Sequence, residues 1–155
     1  MDSDKLLNLA TSLGCLLAES GAEISRVEES VYRLLQAYQG KDAQVFAIPS
    51  CLIVSLMAED GRPVTRMRRI SAHGTDLELL ESCNALCRQL CRTVPPLDEA
   101  RAMLVHVMGR FSPVMAEFID RAFEERWIDV YPREGKQGGA FCSGVHPLKM
   151  SYVMT

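Results

Sequence analysis

Glu19-Ser20-Gly21-Ala22-Glu23-Ile24-Ser25-Arg26-Val27-Glu28-Glu29-Ser30-Val31-Tyr32-Arg33 sets the fold of the first part of the chain. Ser20 with Glu23 three residues on fits a capping box, in which two side chains satisfy backbone donors at a helix start. Gly21 suits a sharp bend out of a preceding helix. Ile24, Val27, Val31, Leu34, Leu35 and Tyr38 then recur at helical spacing and predict an apolar stripe. The other face carries Glu23, Arg26, Glu29 and Arg33, three or four residues apart. These can pair along a solvated helix, at ~0.3–0.5 kcal/mol each, or form a polar cluster that binds something. Spacing leaves both readings open.

Outward from this stretch, Asp4 to Ala18 reads as a first helix with Leu6, Leu9, Leu13 and Leu17 inward and Asp2 or Ser3 as cap. The second helix runs from about Ala22 to Tyr38 and ends at Gly40. Ala43–Pro49 and Cys51–Ala58 are short apolar runs that predict strands, separated at Pro49-Ser50 by a bend, bulge or break. Asp60-Gly61 is a hairpin turn signal, and Val64–Ile70 is the return strand. Arg62, Arg66, Arg68 and Arg69 make that strand basic, with Arg66 and Arg68 on one face and Arg69 on the other. They form either an anion site or charged guards on an edge strand.

Thr75 with Glu78 fits a second capping box, opening a helix to about Arg92, which Val94-Pro95-Pro96 ends. Leu97-Asp98-Glu99 opens another through Met108, and Gly109 to Pro113 is a break. Val114–Trp127 is amphipathic, with Ser112 as a cap. From Ile128 the chain turns extended and then glycine-rich at Gly135, Gly138, Gly139 and Gly144, and Leu148–Thr155 resembles a starting strand. The fold class expected is α+β: a helical hairpin on a small antiparallel sheet, then helices and a glycine-rich extended tail.

The chain has 155 residues and a net charge of −3, with 48% hydrophobic residues. That suffices for a real core and exerts no pull towards nucleic acid or anionic membrane. The acidic N-terminus lacks the positive region of a signal peptide, and no window is long and apolar enough to span a bilayer. Reduced thiols are therefore expected at Cys15, Cys51, Cys83, Cys87, Cys91 and Cys142. Cys83, Cys87 and Cys91 share a helical face, but the first and last lie ~12 Å apart along the axis. The three read as small buried residues rather than one metal site. No Gly-x-Ser-x-Gly elbow and no phosphate loop is present. His73, His106 and His146 form no zinc-binding pair.

Residues 5–92 resemble the soluble N-terminal domain of the threonine/serine exporter family. The resemblance rests on Glu19-Ser20-Gly21-Ala22-Glu23 with Ser25-Arg26-Val27-Glu28, on Leu52-Ile53-Val54-Ser55-Leu56, on Thr65-Arg66-Met67-Arg68-Arg69-Ile70, and on Gly74, Leu77 and Leu80. It implies the cytoplasmic appendage of a proton-driven exporter of small hydroxylated amino acids. Residues 100–155 resemble a fragment of oligoendopeptidase F and its thimet-like zinc peptidase relatives. This second likeness rests on Phe111-Ser112-Pro113, on Phe123 to Tyr131, and on Gly135 to Gly144. The zinc-binding helix of those enzymes would follow beyond this chain, so peptide hydrolysis is not expected. A natural fusion, a rearranged reading frame and a chimera all fit two such halves.

These resemblances set the expectations. Residues 1–94 form an exporter-like domain and 95–155 a peptidase-like tail. The chain is a cytoplasmic module, membrane-associated through a partner, that binds or regulates rather than transports by itself. The alternative is a truncated zinc oligopeptidase. Glu23, Arg26, Glu28, Arg66 and Arg69 are the ligand-binding candidates, their carboxylates meeting the amino group and their guanidiniums the carboxylate of a small zwitterion. Glu28 falls about 200° round the helix from Arg26, so the helix residues share one pocket only if other elements wrap the helix. No catalytic residue, cofactor or metal is expected. Partners would be a small amino acid or peptide, a membrane-embedded transporter subunit, no nucleic acid, and further copies through the tail.

Overall fold

The computed structural model describes residues 2–111, 131–134 and 140–143. The chain forms two compact units, Met1–Leu104 and Val105–Thr155. The described elements are α1 (Ser3–Glu19), α2 (Ile24–Ala37), β1 (Lys41–Ile48), β2 (Cys51–Met57), β3 (Pro63–Arg69), α3 (Leu77–Thr93), α4 (Leu97–Phe111), β4 (Tyr131–Glu134) and β5 (Ala140–Ser143). The class is α+β, as expected.

In the first unit the three strands form an antiparallel meander in the order β1-β2-β3. Pro49 and Ser50 are the two turn residues of a hairpin in which Ile48 pairs with Cys51. Strand alternation points Leu52, Val54 and Leu56 of β2 inward, all nearly inaccessible. Helix α1 packs on β2 and β3, α2 on β1 and α1, and α3 on both helices. α1 is thus surrounded by its own unit, and every residue from Leu6 to Ala18 is buried. Each of its leucines contributes about 1.5–3 kcal/mol of burial free energy. Thr11 is satisfied within the helix, its Oγ1 donating to Leu7 O at 2.7 Å, and at the helix end Ser20 Oγ donates to Leu17 O at 3.0 Å.

Both capping boxes are corrected. Ser20 closes α1 instead of opening α2. Gly21 adopts φ +104°, its N–H donates to Ala18 O, and that of Ala22 to Leu17 O, the bond pattern of a left-handed helix end. Helix α2 starts only at Ile24, with Glu23 as an N-cap whose side chain makes no cap bond. Asp76, not Thr75, caps α3, accepting from Leu79 N at 2.9 Å. At the end of α2 the left-handed residue is Gln39 (φ 58°), one position before the expected Gly40. Helix α4 runs through Gly109 to Phe111, past the break expected there. Tyr38 Oη donates to Pro95 O at 2.8 Å and so pins the end of α2 to the α3–α4 link.

In the second unit β4 and β5 pair antiparallel, Tyr131 opposite Ser143 and Glu134 opposite Ala140. The extended reading after Ile128 therefore holds at β4. The expected helix Val114–Trp127, the Ser112 cap and the strand Leu148–Thr155 lie outside the described residues.

Candidate functional site

Helices α2 and α3 pack side by side, and a groove of about 450 Å³ opens between them, within the ~300–1,000 Å³ range of small-ligand pockets. Its α2 wall carries Glu23, Arg26, Glu29, Ser30 and Arg33, and its α3 wall Leu80, Asn84, Cys87, Arg88 and Cys91. Leu17, Gly21 and Ala22 complete it at the α1–α2 turn. That turn is held tightly. Gly74 N donates to Glu19 O and Asp76 N to Ser20 O, and a Cβ on Gly21 would stand 2.9 Å from Gly74 O. One turn therefore aims α2 and fixes the start of α3, so it positions both walls.

The groove presents both signs of charge. Glu29 is shared between Arg33 at 2.6 Å and Arg26 at 3.7 Å. These pairs are exposed and worth little to stability, so they can exchange for a ligand at small cost. Among the described residues, Glu23 and Arg88 make no ion pair, which leaves one carboxylate and one guanidinium to meet a ligand directly. Ser30 and Asn84 add a hydroxyl and an amide. Burial pushes the Cys87 thiol up to about 12 and also raises Cys91, so neither is a nucleophile at neutral pH.

Of the five candidates from sequence, the structure brings together Glu23 and Arg26, both in this groove. Glu28 turns to the sheet, where its Oε1 accepts from Ala47 N at 2.7 Å. Arg66 turns towards α1 and pairs with Asp4 at 3.1 Å. Arg68 shares that face, 4% exposed, and donates to Ser12 Oγ at 2.7 Å. Arg69 is exposed on the opposite face of β3. The arginine strand is thus an edge strand with two cations turned inward, a device that discourages edge pairing. Sequence reading missed the α3 wall. Its signal was Leu80, Asn84, Cys87, Arg88 and Cys91 at helical spacing, but nothing local says that this stripe faces α2.

Comparison with known proteins gives two likenesses. A family model described as "Putative threonine/serine exporter" matches residues 8–118. Group B oligopeptidase PepB of Streptococcus agalactiae serotype III (strain NEM316) is 45% identical over 47 residues, which are 30% of this chain and 8% of that protein. No solved structure matches. The exporter likeness reaches beyond residue 92, into the stretch expected to be peptidase-like. It overturns the reading of a cytoplasmic module that binds or regulates rather than transports by itself, because the matched family is one of exporters. The alternative of a truncated zinc oligopeptidase gives way with it, because the oligopeptidase likeness covers only 30% of this chain and 8% of that protein. Among the described residues no group of three His, Cys, Asp or Glu could hold a metal ion. Among them, too, no helix is long and apolar enough to cross a membrane.

Proposed function

Because the chain belongs to the putative threonine/serine exporter family, we propose that it works in the export of threonine and serine, with the α2–α3 groove holding the amino acid. The observation that carries this reading is the lining of the groove, where carboxylates and guanidiniums stand together with neutral hydrogen-bonding groups. A hydroxylated amino acid offers the complement: an ammonium for Glu23, a carboxylate for Arg88 and Arg26, and a hydroxyl for Ser30 or Asn84. Guanidinium–carboxylate pairs are the stronger kind of hydrogen bond and fix orientation as well as charge. Passage across the bilayer needs a closed helical or barrel path, so the proposal includes a membrane-embedded partner.

The test is calorimetry on the full chain with threonine, serine and alanine, beside amino-acid efflux from cells expressing it with its partner. Threonine and serine should bind, and alanine, lacking only the hydroxyl chemistry, more weakly. Glu23→Gln and Arg88→Gln should each weaken binding and slow efflux. Absence of heat with either hydroxylated amino acid, together with normal efflux in both variants, would remove the groove from the transport path.

The oligopeptidase likeness supports a further reading, that part of the chain shares ancestry with peptidases and was joined to the exporter domain. Sequencing the transcript across the region after Pro95 tests it. A transcript that departs from the present frame there would refute a genuine fusion.

A further inference from the structure

Cys87 and Cys91 stand one turn apart on α3, both on the groove wall, in a role the amino-acid reading does not use. Helical neighbours at this spacing have Cβ atoms about 5–6 Å apart, so their thiols can reach each other. Each thiol lies in the other's immediate surroundings. Cys87 is 6% exposed, and its Sγ donates to Ser30 O on α2 at 3.6 Å. Cys91 is half-buried. Cys83, a turn earlier, is fully buried and does not line the groove. The span that excludes a three-cysteine site therefore does not exclude this adjacent pair.

The charged groups around the pair come from both helices. Arg33 on α2 acts on both thiols and is itself held by Glu29 at 2.6 Å. Arg88 on α3 acts on Cys87. Both guanidiniums favour thiolate, while burial opposes it more strongly.

We propose that Cys87 and Cys91 form a two-coordinate site for one soft monovalent cation of the copper(I) class. Thiolates select such ions over harder ones. Among the described residues no third His, Cys, Asp or Glu joins the pair, whereas zinc takes four ligands in structural sites. The balance is simple. Two thiols give up two protons, two sulfur–metal bonds form, and the bis-thiolate complex carries one negative charge. Arg33 and Arg88 stand where that charge develops. No electron is transferred. The inference is independent of the amino-acid reading, since its test contains no amino acid.

The full chain, reduced and free of oxygen, is titrated with copper(I) buffered by bicinchoninate. The expected result is transfer of one equivalent from the chelator, with two protons released at neutral pH, read from the dependence of the heat on buffer ionisation. Cys87→Ser and Cys91→Ser should each abolish that uptake, while Cys51→Ser and Cys142→Ser should leave it intact. Cys91→Ser, at the more open position, decides the matter if Cys87→Ser fails to fold. No uptake by the unaltered chain, uptake that survives Cys91→Ser, or uptake lost with Cys51→Ser or Cys142→Ser would each overturn the proposal.

Discussion

Replacing Gly14 by alanine should destabilise the protein, although alanine is the better helix former. Gly14 lies in the middle of α1, where a Cβ would stand 2.6 Å from Leu52 Cδ2 on β2 and 2.6 Å from Val31 Cγ2 on α2. Carbon atoms pack best at ~3.5–4.0 Å, so each neighbour must retreat by about 1 Å. Neither has free room, since Leu52 and Val31 are both completely buried. Val31 is also β-branched, with one strongly preferred rotamer in a helix. Overpacking of this kind costs ~1–3 kcal/mol, and the gain from replacing a mid-helix glycine is ~0.8–1.0 kcal/mol. The net expectation is a loss of about 1 kcal/mol. Urea unfolding of the full chain measures it as a lower midpoint at unchanged slope. Val31→Ala removes one of the obstructing methyl groups, so the two changes together should show a favourable coupling of ~0.5–2 kcal/mol in a double-mutant cycle. A stabilised Gly14→Ala protein, or strict additivity with Val31→Ala, would show that the helix and sheet do not meet as closely as described.

Further outcomes follow from the same contacts. Glu28→Ala should cost ~1.5–3 kcal/mol, the range for a bond to a charged group, because it strips Ala47 N of its acceptor. Threonine binding per folded molecule should be unchanged; loss of binding without loss of stability would return Glu28 to the ligand. Gln39→Gly should stabilise by a few tenths to ~1 kcal/mol by relieving the left-handed backbone at φ 58°, and a thermal scan that moves downward would contradict this. Alkaline sensitivity should come from the buried thiols. Cys15, Cys83 and Cys87 are each pushed up from 9.0 to about 12, chiefly by burial. A thiol whose folded value is raised contributes fully below its unfolded value and loses that contribution as pH rises from 9 to about 12. At pH 10 each should have lost on the order of 1 kcal/mol. Unfolding midpoints at pH 8 and pH 10 should therefore converge when the three are replaced by alanine; an equal fall in both proteins would assign the sensitivity elsewhere.

The parts legible in the sequence were those governed by local periodicity. The stripe through Val27, Val31, Leu34 and Leu35 and the alternation through Leu52, Val54 and Leu56 each name a buried face, and the structure buries those faces, although Ile24 at the head of the first stripe is only partly covered. Caps were less legible, because Ser20 and Gly21 carry signals for both the end of one helix and the start of the next. The structure spends them on the end of α1. Strand parity put Arg66 and Arg68 together but could not say which way that face turns. Their partners Asp4 and Ser12 lie 62 and 56 residues away. The groove needs two stripes, one on each of two helices, and only tertiary packing makes them face. For the same reason Glu28 resembled a ligand group. In sequence it neighbours Arg26 and Glu29, but in space it belongs to the sheet.

The enclosure of α1 also has a consequence in time. Its leucine-rich surface is the first of the described elements to be synthesised, yet the helix and strands that cover it arrive only with β2, β3 and finally α3, which ends at Thr93. At ~5–20 residues per second of synthesis, α1 spends about 4–15 s without its full covering. During that interval the nascent chain displays the kind of apolar segment that holdase chaperones retain. Its yield in the cell should therefore depend on translation speed through Gly21 to Thr93 more than on the final stability of the fold.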